Sequence, residues 1–221
     1  AVDADRLVAI LCRGHGIPAS PGLLPPSNEK WSGDDLPRYP YNPEKARELM
    51  AQCPVPDAPL QLLYAGGTPQ RFDRLAEHLA AQFARIGLDV TLRAAEAKVL
   101  DARLADRDFD LAVTGHGGLG GDPEILNRLL LGTMFAGSRY RGNRELVRVL
   151  EQQVREMNPN ARNDLVDRAQ QLYAQELPAI PLYYPRWYWA HDNRVPLAYV
   201  PGGLAMGIPL PLNKLAFLGN P

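Results

Sequence analysis

The chain has 221 residues, 46% hydrophobic and 22% charged, with a formal net charge of −1. That length buries a sizeable core, and the composition is ordinary for a globular protein. The near-neutral balance excludes a broad basic surface for nucleic acid or anionic lipid, and the local cluster Arg139, Arg141 and Arg144 reads as a solvated turn.

The first residues read as an amphipathic helix. They start abruptly, with neither an initiator Met nor a signal peptide, as in a trimmed sequence. No apolar stretch reaches the roughly 18 residues that a membrane-spanning helix needs. In "YNPEKARELM", Asn42 is an N-cap and Pro43 takes the first helical position, with Ala46, Leu49 and Met50 on one face. "LQLLYAG" reads as a short buried strand. From Pro69, Phe72, Leu75, Ala76, Leu79, Phe83 and Ile86 recur at helical spacing until Gly87. "LDVTLRA" alternates as a second strand, a shorter helix covers about 97–105, and "FDLAVT" is a third strand. Strand and helix in alternation predict an α/β fold with a parallel or mixed sheet, built from strands near 60–65, 88–94 and 109–114. Helices 69–86 and 143–176 are expected to pack on it. The latter is a pair, about 143–157 and 161–176, broken by "NPNA".

Ten of the 21 prolines fall at 18–59 and eight at 178–221, so both ends are arms rather than regular helix. The division expected is an opening helix and arm (1–58), an α/β core (59–178) and C-terminal strands with a second arm (179–221). Cys12 and Cys53 lack metal or redox spacing. Buried small side chains are the simple reading, and a disulfide between them is the alternative.

The third strand runs into "GHGGLGGDPE", where Gly115, Gly117 and Gly120 give G-x-G-x-x-G. The dinucleotide fingerprint requires a helix opening within the glycines and an acidic residue about 20 positions on. Here Asp122 and Pro123 place the helix start at about Pro123, with Asp122 as its cap, and the later region is basic "AGSRYRGNRE". The glycines therefore call for another role. His15, His78, His116 and His191 show no ligand spacing. His78 falls on the polar side of its helix and His15 in a turn. There is no G-x-S-x-G elbow. The aromatics of "YYPRWYWAH" (Tyr183, Tyr184, Trp187, Tyr188, Trp189) read mostly as core, with an outward row available to a cleft or an interlobe face.

The succession "AVDADRLVAILCRGHGIPAS", "LPP", "YNPEKARELM", "AEHLAAQFARIGLDVTLR", "DRDFDLAVTG", "GDPE" and "RAQQLYAQELPAIPLYYP" resembles the C-terminal lobe of family 5 extracellular solute-binding proteins. These are the receptors of dipeptide, oligopeptide and nickel ABC importers. The resemblance implies one lobe of a two-lobed receptor about twice this length. It also implies a small-molecule solute, a membrane permease and the missing N-terminal lobe as partners, a periplasmic or membrane-anchored extracellular location, no cofactor and no chemistry of its own. In peptide-binding relatives the loop carries an aromatic residue and, three positions on, an Asp that pairs with the peptide ammonium group. Counting back from Asp122-Pro123, these positions here are His116 and Leu119. His116, Gly117, Gly118, Leu119 and Gly120 are then the expected ligand-binding residues, with His116 either a contact or a loop residue packing nearby. A leucine cannot neutralise an ammonium group. Two other readings stay open: a nucleotide-dependent enzyme using the glycine loop, and a sensory or regulatory lobe of the same fold.

Overall fold

Alternation along Leu60–Ala65 (β2) sets the architecture. Leu62 and Tyr64 face one way, Leu63 and Ala65 the other, and each set belongs to a different buried cluster. Both faces being covered is what a central parallel strand requires. In the computed structural model, residues 1–19, 22, 24, 36–54, 58–68, 71–115, 123–124, 130–131, 140, 142–186, 188, 190 and 192–194 are described. The described elements begin with α1 (Ala4–Leu11), β1 (Gly16–Pro18), α2 (Pro43–Met50) and β2, followed by α3 (Phe72–Ala84), β3 (Val90–Ala95), α4 (Ala97–Asp106) and β4 (Leu111–Val113). The helices α5 (Arg144–Arg155) and α6 (Pro159–Glu176) and the strand β5 (Tyr183–Pro185) complete them.

The three-stranded sheet has the order β3-β2-β4, with both pairs parallel. This is the predicted strand–helix alternation, with β2 central. Helix α3 covers one face through Leu75, Ala76 and Leu79, joined by Leu7 of α1. Helix α4 covers the other through Leu100 and Leu104. The third strand is shorter than expected, Leu111–Val113, and just before it the Asp110 carboxylate accepts from the Gln61 N–H of β2 at 2.8 Å.

Helix α3 starts at Phe72 rather than Pro69. Arg71 stands in the left-handed region, φ 56° and ψ 42°, so the helical backbone begins only after it. The break between α5 and α6 also moves. Asn158 accepts from the N–H groups of Asn160 and Ala161, and Pro159 takes the first helical position. A proline there loses no helical hydrogen bond, which is why the second helix opens at 159.

The α5–α6 hairpin differs from expectation in its packing. Its buried cluster, from Leu146, Val149 and Leu150 to Val166, Leu172 and Tyr173, is completed by Leu24 and Leu130. Among the described residues, no sheet residue belongs to it. Leu24, after β1, and Leu130, after β4, stand in this cluster where sheet residues were expected.

The two ends of the described chain meet in an antiparallel ribbon, β1 with β5, in the register Gly16↔Pro185 to Pro18↔Tyr183. Gly16 is needed there. A Cβ would lie 3.2 Å from the Tyr184 carbonyl and 3.3 Å from the Cys12 sulfur. Cys12 is half-buried and Cys53 exposed, and both are free thiols. The buried reading therefore fails for Cys53, at the open end of α2, a helix with no buried residue.

Candidate functional site

A β2-α3-β3-α4-β4 unit whose third strand returns to the far side of the first has a topological switch point. Here it lies between the carboxyl ends of β2 and β4, the place where open α/β sheets form a crevice for a ligand. The chain places small residues on both sides of it. From β2 come Gly66, Gly67 and Thr68, with Gly67 in the left-handed region at φ +65°. From β4 come Thr114 and Gly115.

Between them stands Phe72, the first residue of α3. Its ring packs against the buried clusters of both sheet faces, which places it across the end of the sheet. A Cβ on Gly115 would lie 3.0 Å from the Phe72 Cζ, so this glycine permits a close aromatic contact. That is the structural role of the first glycine of G-x-G-x-x-G. It gives the crevice an aromatic floor rather than a phosphate cradle. On the opposite wall, a Cβ on Gly66 would lie 3.2 Å from the Ala94 Cβ, so β3 closes that side.

Among the described residues, the polar groups at the crevice are few. The Thr68 hydroxyl oxygen is buried and has no hydrogen-bond partner among them. Its backbone carbonyl is occupied, accepting from the Arg71 N–H at 3.0 Å. The side chain of Arg71, the N-cap of α3, makes no capping hydrogen bond, and the N-terminus of α3 meets the same rim. An apolar floor with a small number of polar groups suits recognition of a small molecule. Among the described residues, no group of three or more His, Cys, Asp or Glu could hold a metal ion. No described helix is long and apolar enough to cross a membrane.

The residues predicted to bind ligand, His116, Gly117, Gly118, Leu119 and Gly120, lie outside the described residues, as do Asp122, Trp187, Trp189 and His191. The described ends of that stretch are Gly115, against Phe72, and Pro123, fully buried and in a turn with Glu124. His15 is exposed, with its ring edge-on to Tyr188 at 6.0 Å and 86°. His78 is half-buried on α3 rather than fully solvated. Of the aromatic cluster, Tyr183 packs against the sheet core, whereas Tyr188 is 68% exposed. Sequence reasoning missed Phe72 and Thr68 as site residues. Phe72 reads from the sequence only as another apolar position at helical spacing. The signal for Thr68 was the "GGT" that directly follows a strand.

Three comparisons bear on the family. The description "Bacterial extracellular solute-binding proteins, family 5 Middle" matches residues 1–136. Heme-binding protein A of Haemophilus influenzae is 28% identical over 191 residues, 82% of this chain and 34% of that protein. The probable ABC transporter periplasmic-binding protein SapA of Escherichia coli is 27% identical over 191 residues, again 82% of this chain and 34% of the relative. The chain thus spans about a third of the length of these relatives. In three dimensions it is similar to the oligopeptide-binding protein AppA of Bacillus subtilis in complex with a nonapeptide. The TM-score is 0.71 at 20% identity, over 83% of this chain and 40% of that one, a likeness of fold. The strand order, the switch-point crevice and a match over more than half of its length agree: the chain belongs to the bacterial extracellular solute-binding proteins of family 5.

Proposed function

We propose that the chain is one lobe of a receptor that encloses a small solute and delivers it to an ABC permease at the outer face of a membrane. The observation that carries this is the crevice between β2 and β4, floored by Phe72 and walled by glycines, in a chain of this family. The ligand-binding residues proposed are His116 to Gly120, the segment between Gly115 and Pro123. The companion lobe supplies the rest of the site. The relatives, SapA among them, are solute-binding proteins rather than enzymes.

The solute class follows from residue chemistry. Leu119 offers no charge to an ammonium group, and an unpaired buried charge costs several kcal/mol, on the order of 3–5. A solute with an apolar or anionic end, or a metal chelate reaching His116, fits better than a peptide with a free N-terminus. Heme-binding protein A shows by its name that a relative takes such a chelate.

Isothermal titration of the full-length receptor with hemin, the Ni(II)–histidine complex and the dipeptide Met-Leu is the test. We expect a chelate to bind and the dipeptide to bind poorly; tight dipeptide binding refutes the solute class. Leu119→Asp should then move preference toward the dipeptide. The 221-residue chain by itself should fold but bind at best at about millimolar. Each hydrogen bond left open to water contributes only about 0.5–1.5 kcal/mol, too little to offset the freedom lost on association. Deprived of the companion lobe, its arms should also favour self-association, visible in sedimentation velocity. Micromolar binding by this chain in equilibrium dialysis would mean that the site needs no second lobe.

A further inference from the structure

The α5–α6 hairpin buries two glutamines on its inner faces, Gln153 at 0% and Gln170 at 1% exposure. They lie on the two helices that also carry the buried apolar residues Leu146, Val149, Leu150 and Val166. A buried amide is costly unless its oxygen and its NH2 are both bonded. Each glutamine therefore marks something the hairpin holds by hydrogen bonds. For Gln170 it is the arm after β1, because its Oε1 accepts from the Leu24 N–H at 3.2 Å.

For Gln153 the arrangement is directional. The Arg162 guanidinium donates to the Gln153 Oε1 at 3.2 Å and to its backbone carbonyl at 3.0 Å. A guanidinium only donates, so it fixes which end of the amide faces it. The oxygen turns toward Arg162, and the NH2 is left to donate to the Pro123 carbonyl at 3.4 Å. Pro123 is the described end of the glycine-rich segment, opposite Gly115. The bond is long and contributes little by itself. The polarity it imposes is what discriminates, because an acceptor in its place would face the Pro123 carbonyl oxygen.

We propose that Gln153, oriented by Arg162, is a positioning residue for solute binding: it holds the Pro123 end of the rim loop without touching the solute. This rests on the site proposed above.

The test compares Gln153→Glu with Gln153→Met in the full-length receptor. Glutamate keeps the shape and pairs with Arg162 more strongly, but presents an acceptor to Pro123. Methionine keeps the volume and loses both contacts. Hydrogen exchange is followed on peptides covering 116–131 and 144–176, alongside titration with hemin, the Ni(II)–histidine complex and Met-Leu. In the Glu variant, exchange over 116–131 should rise roughly fivefold, the factor that about 1 kcal/mol produces. Exchange over 144–176 should stay at the wild-type level, and affinity for whichever probe the wild type binds should fall by about the same factor. The Met variant should loosen both segments. Unchanged exchange over 116–131 in the Glu variant overturns the proposal. So does loosening of both segments together in that variant, which would make Gln153 a hairpin residue only, or faster loop exchange with unaltered affinity. A wild type that binds none of the probes refutes the solute classes proposed above, and the exchange comparison still decides whether Gln153 holds the loop.

Discussion

Single atoms decide the fit at the crevice. Gly115→Ala places a methyl group 3.0 Å from the Phe72 Cζ, and the ring, only partly buried, must give by a few tenths of an ångström. Overpacking of this kind costs roughly 1–3 kcal/mol, and the lower end applies because the ring is only partly buried and can shift. Urea melts should show a loss of about 1 kcal/mol, together with weaker solute binding in the full-length receptor. A melt indistinguishable from wild type would mean that Phe72 does not floor the crevice. Asn143 is another residue with a definable effect. Its side chain accepts from the Glu145 and Leu146 N–H groups, and its NH2 donates to Glu176 at 2.9 Å. Asn143→Ala should cost about 1–2 kcal/mol of stability in urea melts, the upper part of the range for a lost N-cap. The nearby Arg168–Glu145 pair, at 2.7 Å but 44% and 41% exposed, should contribute less than about 1 kcal/mol when Arg168 is replaced by Ala. At this scale the sequence was legible where one residue type has one local use, as at the cap Asn42; the cap Asn158 was read only as part of a break between helices. It was silent on the role of Phe72, which depends on a glycine more than forty positions away, just beyond β4.

Among the elements, α3 shows how pattern becomes packing. Leu75, Ala76 and Leu79 lie on one helical face and are 3%, 0% and 3% exposed against β2. Leu79→Ala should therefore destabilise by roughly 2–5 kcal/mol, with the spread set by how far the site collapses. Helices and central strands with this strength of periodicity were predicted to within a few residues. Where the prediction slipped, the cause was backbone geometry that periodicity does not carry, as at left-handed Arg71. The ribbon strand β1 went unpredicted for a different reason: it spans three residues, one of them a proline, which is too short for an alternation to register. Its partner β5 falls within the C-terminal strands expected over 179–221, but the pairing of the two was not foreseen. The cluster shared by the hairpin with Leu24 and Leu130 was equally hidden, because it joins segments whose own sequences look like arms and loops.

For the molecule as a whole, one buried acid, Tyr173, and three half-buried ones among the described residues shape the response to alkali. Burial raises Tyr173 well above its ordinary 10.0, with the nearby Tyr184 adding to the shift. Burial is also the leading cause for Tyr140 and Tyr183, and it raises the Cys12 thiol above 9.0. A raised value in the folded state contributes stability that is complete below the unfolded value and is lost as pH climbs through the folded one. These groups should therefore leave stability unaffected up to about pH 9 and lower it progressively above that. Urea midpoints measured from pH 7 to 11 test this, and Tyr173→Phe should flatten the alkaline limb. The same substitution removes the 2.7 Å hydrogen bond to the Ala179 carbonyl, so its midpoint at pH 7 should fall. An alkaline limb identical to wild type would place the responsible ionisation elsewhere. The fold class could be read from the sequence because strand–helix alternation admits few topologies. The location proposed for the site follows from strand order, and the chemistry proposed for it rests on the sequence positions His116 and Leu119, outside the described residues.

The ribbon of β1 and β5 has a consequence for how the chain reaches this fold. Its partners, Gly16 and Pro185, lie near opposite ends of the sequence, so pairing them directly closes a very long loop at a cost of roughly 4–5 kcal/mol. A three-residue ladder cannot meet that cost alone. The ribbon can close only after α1 has docked on α3 and the α5–α6 hairpin has brought Tyr183 into place, because each step shortens the loop that remains. It should thus be absent from the folding transition state. Weakening it, for example with Ile17→Gly, should speed unfolding and leave the folding rate unchanged. Helix α1 and the elements from α2 to α6 would then assemble first, and the ribbon would tie the chain shut behind them.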